Sequence, residues 1–215
     1  MRNMFNQGVS IINRDLSIII FWGSLWGLTE ATLGHFLHAF TLGIGWLFWF
    51  PLAFFFIHKA YYNTGKLSTI LYVSFLAASI KLIDLIMPIR LDYVINPAVS
   101  IILEGVTLWG IYWIGQRKQI EFKFLQVLIA SLGWRCFYLA YVLLFLPPQW
   151  VAISPAGGLE PLIKFLFGES AMNTLVIVSY LTMTRSKKAK PQIQLPNYRI
   201  AFSLLALALF VQWMV

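Results

Sequence analysis

Seven apolar segments, each close to the length of a membrane-spanning helix, dominate this sequence and restrict what it can fold into. A transmembrane α-helix needs about 20 predominantly apolar residues, and only short connections separate these segments. The 215 residues therefore leave no room for a separate soluble domain. The segments are 17–38, 42–60, 67–87, 97–115, 124–146, 160–183 and 199–215.

The pattern predicts an all-α integral membrane helix bundle of six to seven transmembrane helices. It forms a single transmembrane domain over residues 1–215, with a core at 15–185 and an extra C-terminal helix at 199–215. Charged residues make up 11% of the chain, against about 25% in an ordinary soluble domain. No cleavable signal peptide is expected, because no small-residue cleavage pattern follows the first apolar run.

The basic residues are distributed asymmetrically between the two sides of the predicted bundle. Twelve of the 16 Lys and Arg residues lie at the amino terminus or in alternate loops, and the opposite loops hold only Arg90. The positive-inside rule then predicts a cytoplasmic N-terminus in a bacterial cytoplasmic (inner) membrane. The net charge of +8 thus reflects topology, and nucleic acid is excluded as a partner.

Six ionisable residues lie well inside the apolar segments. A charge at the centre of a bilayer costs at least roughly 2.5–3.5 kcal/mol, so these side chains must face one another, a wet cavity or a ligand. They are Glu30, Lys81, Asp84, Glu104, Arg135 and Glu169.

The carboxylates in this set outnumber the cations by four to two. Such an excess implies a protonated carboxyl group, a bound metal ion or an organic cation. Under the predicted topology these groups converge on a polar chamber that opens to the outside. The candidate ligand-binding residues are Glu30, His38, Asp84, Glu104, Arg135 and Glu169.

Some of these residues have a structural alternative. Lys81 and Asp84 are three residues apart on one helical face, so they can pair with each other. Aromatic residues near the outer helix ends can stack on a flat or cationic ligand, or they can form the interfacial belt of a membrane protein. These aromatic residues are Trp46, Trp49, Tyr93 and Trp150.

Two sequence features concern helix packing. Gly23, Gly27 and Ala31 recur at four-residue spacing, which lets another helix approach closely, either a partner subunit or a helix of the same chain. Asn96 followed by Pro97 predicts a helix start, because proline is favoured at the first helical position.

The segment WGSLWGLTEATLGHFLH, from Trp22 to His38, resembles the substrate-binding S components of energy-coupling factor transporters. The resemblance implies a compact membrane protein of six helices that binds a vitamin or a metal ion near its outer surface. It also implies docking through Gly23, Gly27 and Ala31 onto a shared coupling subunit that two cytoplasmic ATPases drive. The predicted seventh helix is a departure from this family.

The combined interpretation is a small-molecule binding or transport subunit for a vitamin-like or cationic ligand, rather than an enzyme. Other membrane subunits, a small-molecule ligand and the lipid bilayer are the expected partners, while the cofactor and any metal stay open. No nucleotide-binding loop is present, so use of ATP would need another subunit. The alternatives are a structural or accessory subunit holding a pigment or haem through His35 or His38, and an intramembrane enzyme with a catalytic carboxylate.

Overall fold

The computed structural model describes residues 2–39, 45–88, 90–118, 124–186 and 197–214, and every regular element in these ranges is helical. Short 3-10 turns at Gly45–Leu47, Leu82–Ile86 and Pro155–Gly157 supplement the helices, and a π-helical turn at Lys164–Gly168 joins α7 to α8. The helices are α1 Arg2–Ala39, α2 Trp49–Thr64, α3 Leu67–Lys81, α4 Asp92–Lys118, α5 Phe124–Phe145, α6 Pro148–Ala152, α7 Leu159–Ile163, α8 Glu169–Ser186 and α9 Tyr198–Met214.

Five helical stretches among the described residues are long and apolar enough to cross a membrane. The all-helical expectation is therefore confirmed. The remaining two predicted spans are shorter helices, α2 with 16 residues and α9 with 17, which corresponds to about 24–26 Å at 1.5 Å per residue. The five long stretches are Arg14–Gly34, Leu67–Ile86, Asp92–Lys118, Phe124–Phe145 and Leu159–Thr184.

The short helix α2 lies at the centre of the bundle. It packs against α1, α3, α4 and α8, and Ala53, Ile57 and Ala60 on it are fully buried. Gly65 ends the helix in the left-handed conformation (φ 69°), from which its N–H donates to the Tyr61 carbonyl. A residue without Cβ adopts this conformation without steric cost.

The small-residue face of α1 contacts another helix of the same chain. A Cβ atom added to Gly23 would lie 2.8 Å from Leu76 Cδ2, and one added to Gly27 would lie 2.7 Å from Ile80 Cδ1. Both partners belong to α3, and Ala31 is also buried, at 2% exposure. The two glycines therefore form an internal packing seam, the alternative that the sequence left open, and a partner subunit could use this face only by displacing α3.

The C-terminal helix α9 is part of the bundle. It packs mainly along α1 and also touches α3 and the turn that follows α3. Ala201 and Ala208 are fully buried, and Gln212 is 2% exposed. Small side chains at the contact let the two helices approach closely, as in other membrane-embedded helix pairs.

Helix α4 begins earlier than predicted, at Asp92, so the expectation that Pro97 occupies the first helical position is wrong. Residues before the proline start the helix, since the N–H of Ile95 donates to the Leu91 carbonyl at 2.8 Å. Arg90 donates to both carboxylate oxygens of Asp92 at 3.1 and 2.7 Å, and this bonding raises the pKa of Arg90. Pro97 is accommodated inside the helix with one backbone hydrogen bond fewer.

Candidate ligand-binding site

Arg135 on α5 is the best-anchored polar side chain of the bundle interior. Its side chain is 1% exposed. Nη1 donates to the carbonyl and the hydroxyl of Ser131, one helical turn earlier, at 3.0 and 2.9 Å. Nη2 donates to Oδ1 of Asn173 on α8 at 2.8 Å. A buried guanidinium needs several such partners to offset its lost hydration.

Asn173 connects Arg135 to a third element. While its carbonyl oxygen accepts from Arg135, its Nδ2 donates to the backbone carbonyl of Trp46 at 3.0 Å. Trp46 belongs to the 3-10 turn that precedes α2. Asn173 is fully buried, and its single amide therefore ties α5, α8 and this turn together.

Glu169 is the second charged residue of the site. It is the first residue of α8, immediately after the π-helical turn. Its Oε2 lies 3.6 Å from Arg135 Nη2, an ion-pair distance that is longer than a direct hydrogen bond, and its side chain is 12% exposed. Single π-helical turns occur often at functional sites, and here the turn lies directly before the carboxylate.

Arg135 and Glu169 line a cavity of about 230 Å³. Six of the lining side chains are aromatic, so the cavity surface is largely apolar and contains one ion pair. Ligand sites typically combine such apolar walls with a few polar groups. The lining residues are Trp46, Trp49, Phe50, Ser100, Trp134, Arg135, Tyr138, Pro155, Phe165 and Glu169.

Aromatic rings also surround the Arg135 guanidinium itself. Its Cζ lies 4.6 Å from the ring centroid of Trp134 and 5.3 Å from that of Phe165. Trp134 in turn stacks on Phe50, with centroids 5.8 Å apart. These cation–π contacts hold the charge against one wall of the cavity.

Glu30 and Glu104 lie beside this site and do not line the cavity. Glu104 is 3% exposed and interacts electrostatically with both Glu30 and Arg135. Glu30 accepts a hydrogen bond from Trp26 Nε1 at 3.2 Å and interacts with Lys81. The two carboxyl groups therefore extend the charged interior from Arg135 towards α3.

The structure places Asp84 in a different cluster, so the expectation that it joins Arg135 in one chamber is wrong. Its Oδ2 accepts from Lys81 Nζ at 2.7 Å, and its Oδ1 accepts from Gln212 Nε2 of α9 at 2.6 Å. The predicted alternative, a Lys81–Asp84 pair, is the arrangement found. A short local pair is favoured here because both residues lie on one face of the same segment.

The prediction that His38 contacts a ligand concerns a side chain outside the described part of the structure, and the same holds for His35.

The predicted aromatic residues divide into two groups. Trp46 and Trp49 line the cavity as expected of aromatic walls. Tyr93 and Trp150 do not line it, and Tyr93 instead lies under the Arg90 guanidinium at 4.7 Å. Within the described residues, no group of three His, Cys, Asp or Glu side chains could hold a metal ion.

Sequence reasoning missed several residues that the structure brings to the site. Trp134 and Phe165 neighbour the predicted residues in sequence or on the next helix, but nothing in their spacing pointed to a cavity. Asn173 shares a helical face with Glu169, and that signal was present in the sequence. Gln212, which joins the separate Asp84 cluster, was detectable as the one side-chain amide of the C-terminal helix.

Comparison with known proteins found no family model, no curated relative and no solved structure that matches this chain.

Proposed function

We propose that this chain is a membrane-embedded subunit that binds a small molecule, for its transport, in the cavity around Arg135 and Glu169. The cavity carries the proposal, because it combines about 230 Å³ of space with aromatic walls and a polar pair held in position by other helices. Buried charged groups in membrane helices are costly, and they typically mark ligand or ion sites. The ligand is vitamin-like or cationic.

The proposed setting follows from the charge distribution and the bundle. The amino terminus is cytoplasmic in a bacterial cytoplasmic membrane, since this orientation puts the basic loops inside. The turn at Gly45–Leu47 and the segment around Pro155 then lie on the outer side, and both contribute residues to the cavity lining. No nucleotide-binding loop is present in the sequence, so other membrane subunits complete the transporter. The same division of labour holds in the transporters whose S components the first helix resembles.

Native mass spectrometry of the detergent-extracted protein tests the proposal. We expect a small nonpolymeric mass that remains bound under gentle conditions and leaves on activation. Ser100, half-buried in the cavity wall on α4, is the position for a blocking variant. Ser100→Trp should abolish the bound mass, whereas Ile114→Trp, at a 43% exposed position of the same helix, should retain it.

The result that contradicts the proposal is equally definite. Wild-type protein that carries co-purified subunits and no small molecule would indicate a structural subunit whose buried charges serve assembly. A bound mass that survives in folded Ser100→Trp protein would show that the ligand occupies some other site.

A further inference from the structure

We propose that the molecule bound in this cavity is a small organic monocation with a planar or methylated charged group, held against Glu169 by the aromatic walls. This inference rests on the proposed function and adds the chemical class of the ligand. Three properties of the site support it: which charge is accessible, what the walls are made of, and how the charges sum.

The accessible charge at the cavity is negative. The Glu169 side chain keeps 12% exposure, against 1% for Arg135. The guanidinium already donates to Ser131 and Asn173 and is covered by two rings. A bidentate anion would have to break these bonds, whereas a cation can approach Glu169 directly.

Two unpaired donors beside the cavity do not serve an anion either. Arg135 Nε and Trp134 Nε1 have no hydrogen-bond partner among the described residues, yet both atoms have under 1 Å² of accessible surface. They are therefore covered by neighbouring groups and do not point into open space. An anionic ligand therefore gains no hydrogen bond from either of these two atoms.

The aromatic walls favour the same class of ligand. Trp46, Trp49 and Tyr138 line the cavity together with Phe50, Trp134 and Phe165. The faces of such rings attract cations, more strongly in water-poor surroundings than at exposed sites, and boxes of this kind bind substituted ammonium groups. The volume of about 230 Å³ is below the range of about 300–1,000 Å³ typical of drug-sized ligands, so the ligand is about the size of a single ring.

The local charge balance also leaves room for one positive charge. Arg135 interacts with two acidic side chains, Glu104 and Glu169, so the acids around this one cation outnumber it. A bound monocation can therefore pair with Glu169 in a poorly hydrated interior without a further counter-ion. Lys164 also lies within electrostatic range of Glu169, but its side chain is exposed and hydrated.

Three ring compounds of similar size and different charge test the inference. We would titrate purified full-length protein, after removal of any bound molecule, with 1-methylpyridinium, benzamide and benzoate by isothermal titration calorimetry. The cation should bind about tenfold or more tightly than benzoate, with neutral benzamide between them.

Variants assign the effect to the site. Glu169→Gln should weaken 1-methylpyridinium binding by about tenfold or more and leave benzamide little changed. Glu160→Gln, an exposed acid on α7, is the matched control and should bind as wild type does. Trp46→Leu is a second variant, and it leaves the hydrogen bond from Asn173 to the Trp46 backbone in place. It should weaken the binding of 1-methylpyridinium more than the binding of benzamide.

Tighter binding of benzoate, equal binding of the three probes, or no binding of 1-methylpyridinium would each overturn the monocation assignment. Wild-type affinity for the cation in both folded variants would overturn it as well. The proposed function fails on a different result, the absence of a co-purified small molecule. An anionic or neutral co-purified molecule would uphold the function and refute the charge class.

Discussion

The side-chain amide of Gln212, two residues before the end of α9, donates a 2.6 Å hydrogen bond to Oδ1 of Asp84. Lys81 donates to the other carboxylate oxygen of Asp84 at 2.7 Å. Asp84 is 6% exposed and Gln212 is 2% exposed, so the contact lies inside the bundle. It gives the C-terminal helix a specific polar attachment in addition to its apolar packing along α1.

Loss of this attachment should destabilise the protein. We expect Gln212→Leu to lower the free energy of unfolding by about 1.5–3 kcal/mol, the usual worth of a hydrogen bond to a charged group. Phe210→Leu, at a 55% exposed position of the same helix, is the control and should have a small effect. Reversible unfolding in mixed micelles would measure both, and equal stabilities would mean that α9 is held by apolar contacts alone.

The Lys81–Asp84 pair should show the asymmetry of a buried ion pair. Lys81→Met leaves the Asp84 carboxylate without its counter-charge, and we expect a loss of roughly 3–5 kcal/mol. The double variant Lys81→Met/Asp84→Asn removes both charges and keeps an acceptor for Gln212, so it should be more stable than the single variant. A double variant that is as unstable as the single one, measured by the same unfolding assay, would refute a purely pairwise role.

Glycines of α1 should respond to alanine with opposite signs. Gly27→Ala places a methyl group 2.7 Å from Ile80 Cδ1, and such overpacking costs about 1–3 kcal/mol. Gly34→Ala has its nearest contact at 3.8 Å, with Trp49, so removal of a helical glycine should leave stability unchanged or raise it by about 0.5–1 kcal/mol. Thermal unfolding of the two variants side by side measures the difference.

A partner subunit that docks on the α1 glycine face would produce a different result. In that case Gly27→Ala would keep the stability of the isolated chain and lose only co-purification with the partner. A smaller cost of Gly27→Ala in an Ile80→Ala background than in wild type would further identify the contact as internal, because Ile80→Ala removes Cδ1 and Cγ2 from the contact.

Asn173 should control both stability and ligand retention. We expect Asn173→Leu to cost about 1–3 kcal/mol, because it removes a buried acceptor from Arg135. It also frees the turn that carries Trp46, so the bound molecule should dissociate at lower activation in native mass spectrometry. Met172→Leu, at a 44% exposed neighbouring position, should match wild type in both measurements.

Helix positions were largely predictable because hydrophobicity acts locally along the chain. The segment predicted at 124–146 is the helix Phe124–Phe145, and the one at 67–87 is the stretch Leu67–Ile86. The error at Pro97 arose because a local preference for proline at the first helical position was applied to a helix that begins five residues earlier, at Asp92. The short α2 was predicted as an ordinary span, because nothing in its sequence shows that protein surrounds it on several sides.

The candidate site was predictable in part. Arg135 and Glu169 stood out because charges are rare in apolar helices, and the structure brings them to 3.6 Å of each other. Asp84 stood out for the same reason, but a nearer lysine and an amide 128 residues away hold it in another cluster. Phe165 was missed, since it meets Arg135 only where α5 packs against the π-helical turn, and Trp134 was missed because adjacency to Arg135 does not by itself indicate a cavity wall.

The sequence by itself determined an all-helical bundle with long apolar helices and a set of charges that must be satisfied inside it, because both follow from the cost of exposing polar groups to lipid. Only the tertiary structure decided how those charges divide. Helix packing assigned Arg135 and Glu169 to an aromatic cavity and Lys81, Asp84 and Gln212 to an internal attachment of α9. That division depends on how distant helices are rotated and aligned relative to one another. Side-chain packing between the helices sets this arrangement, and the residue pattern of a single segment does not reveal it.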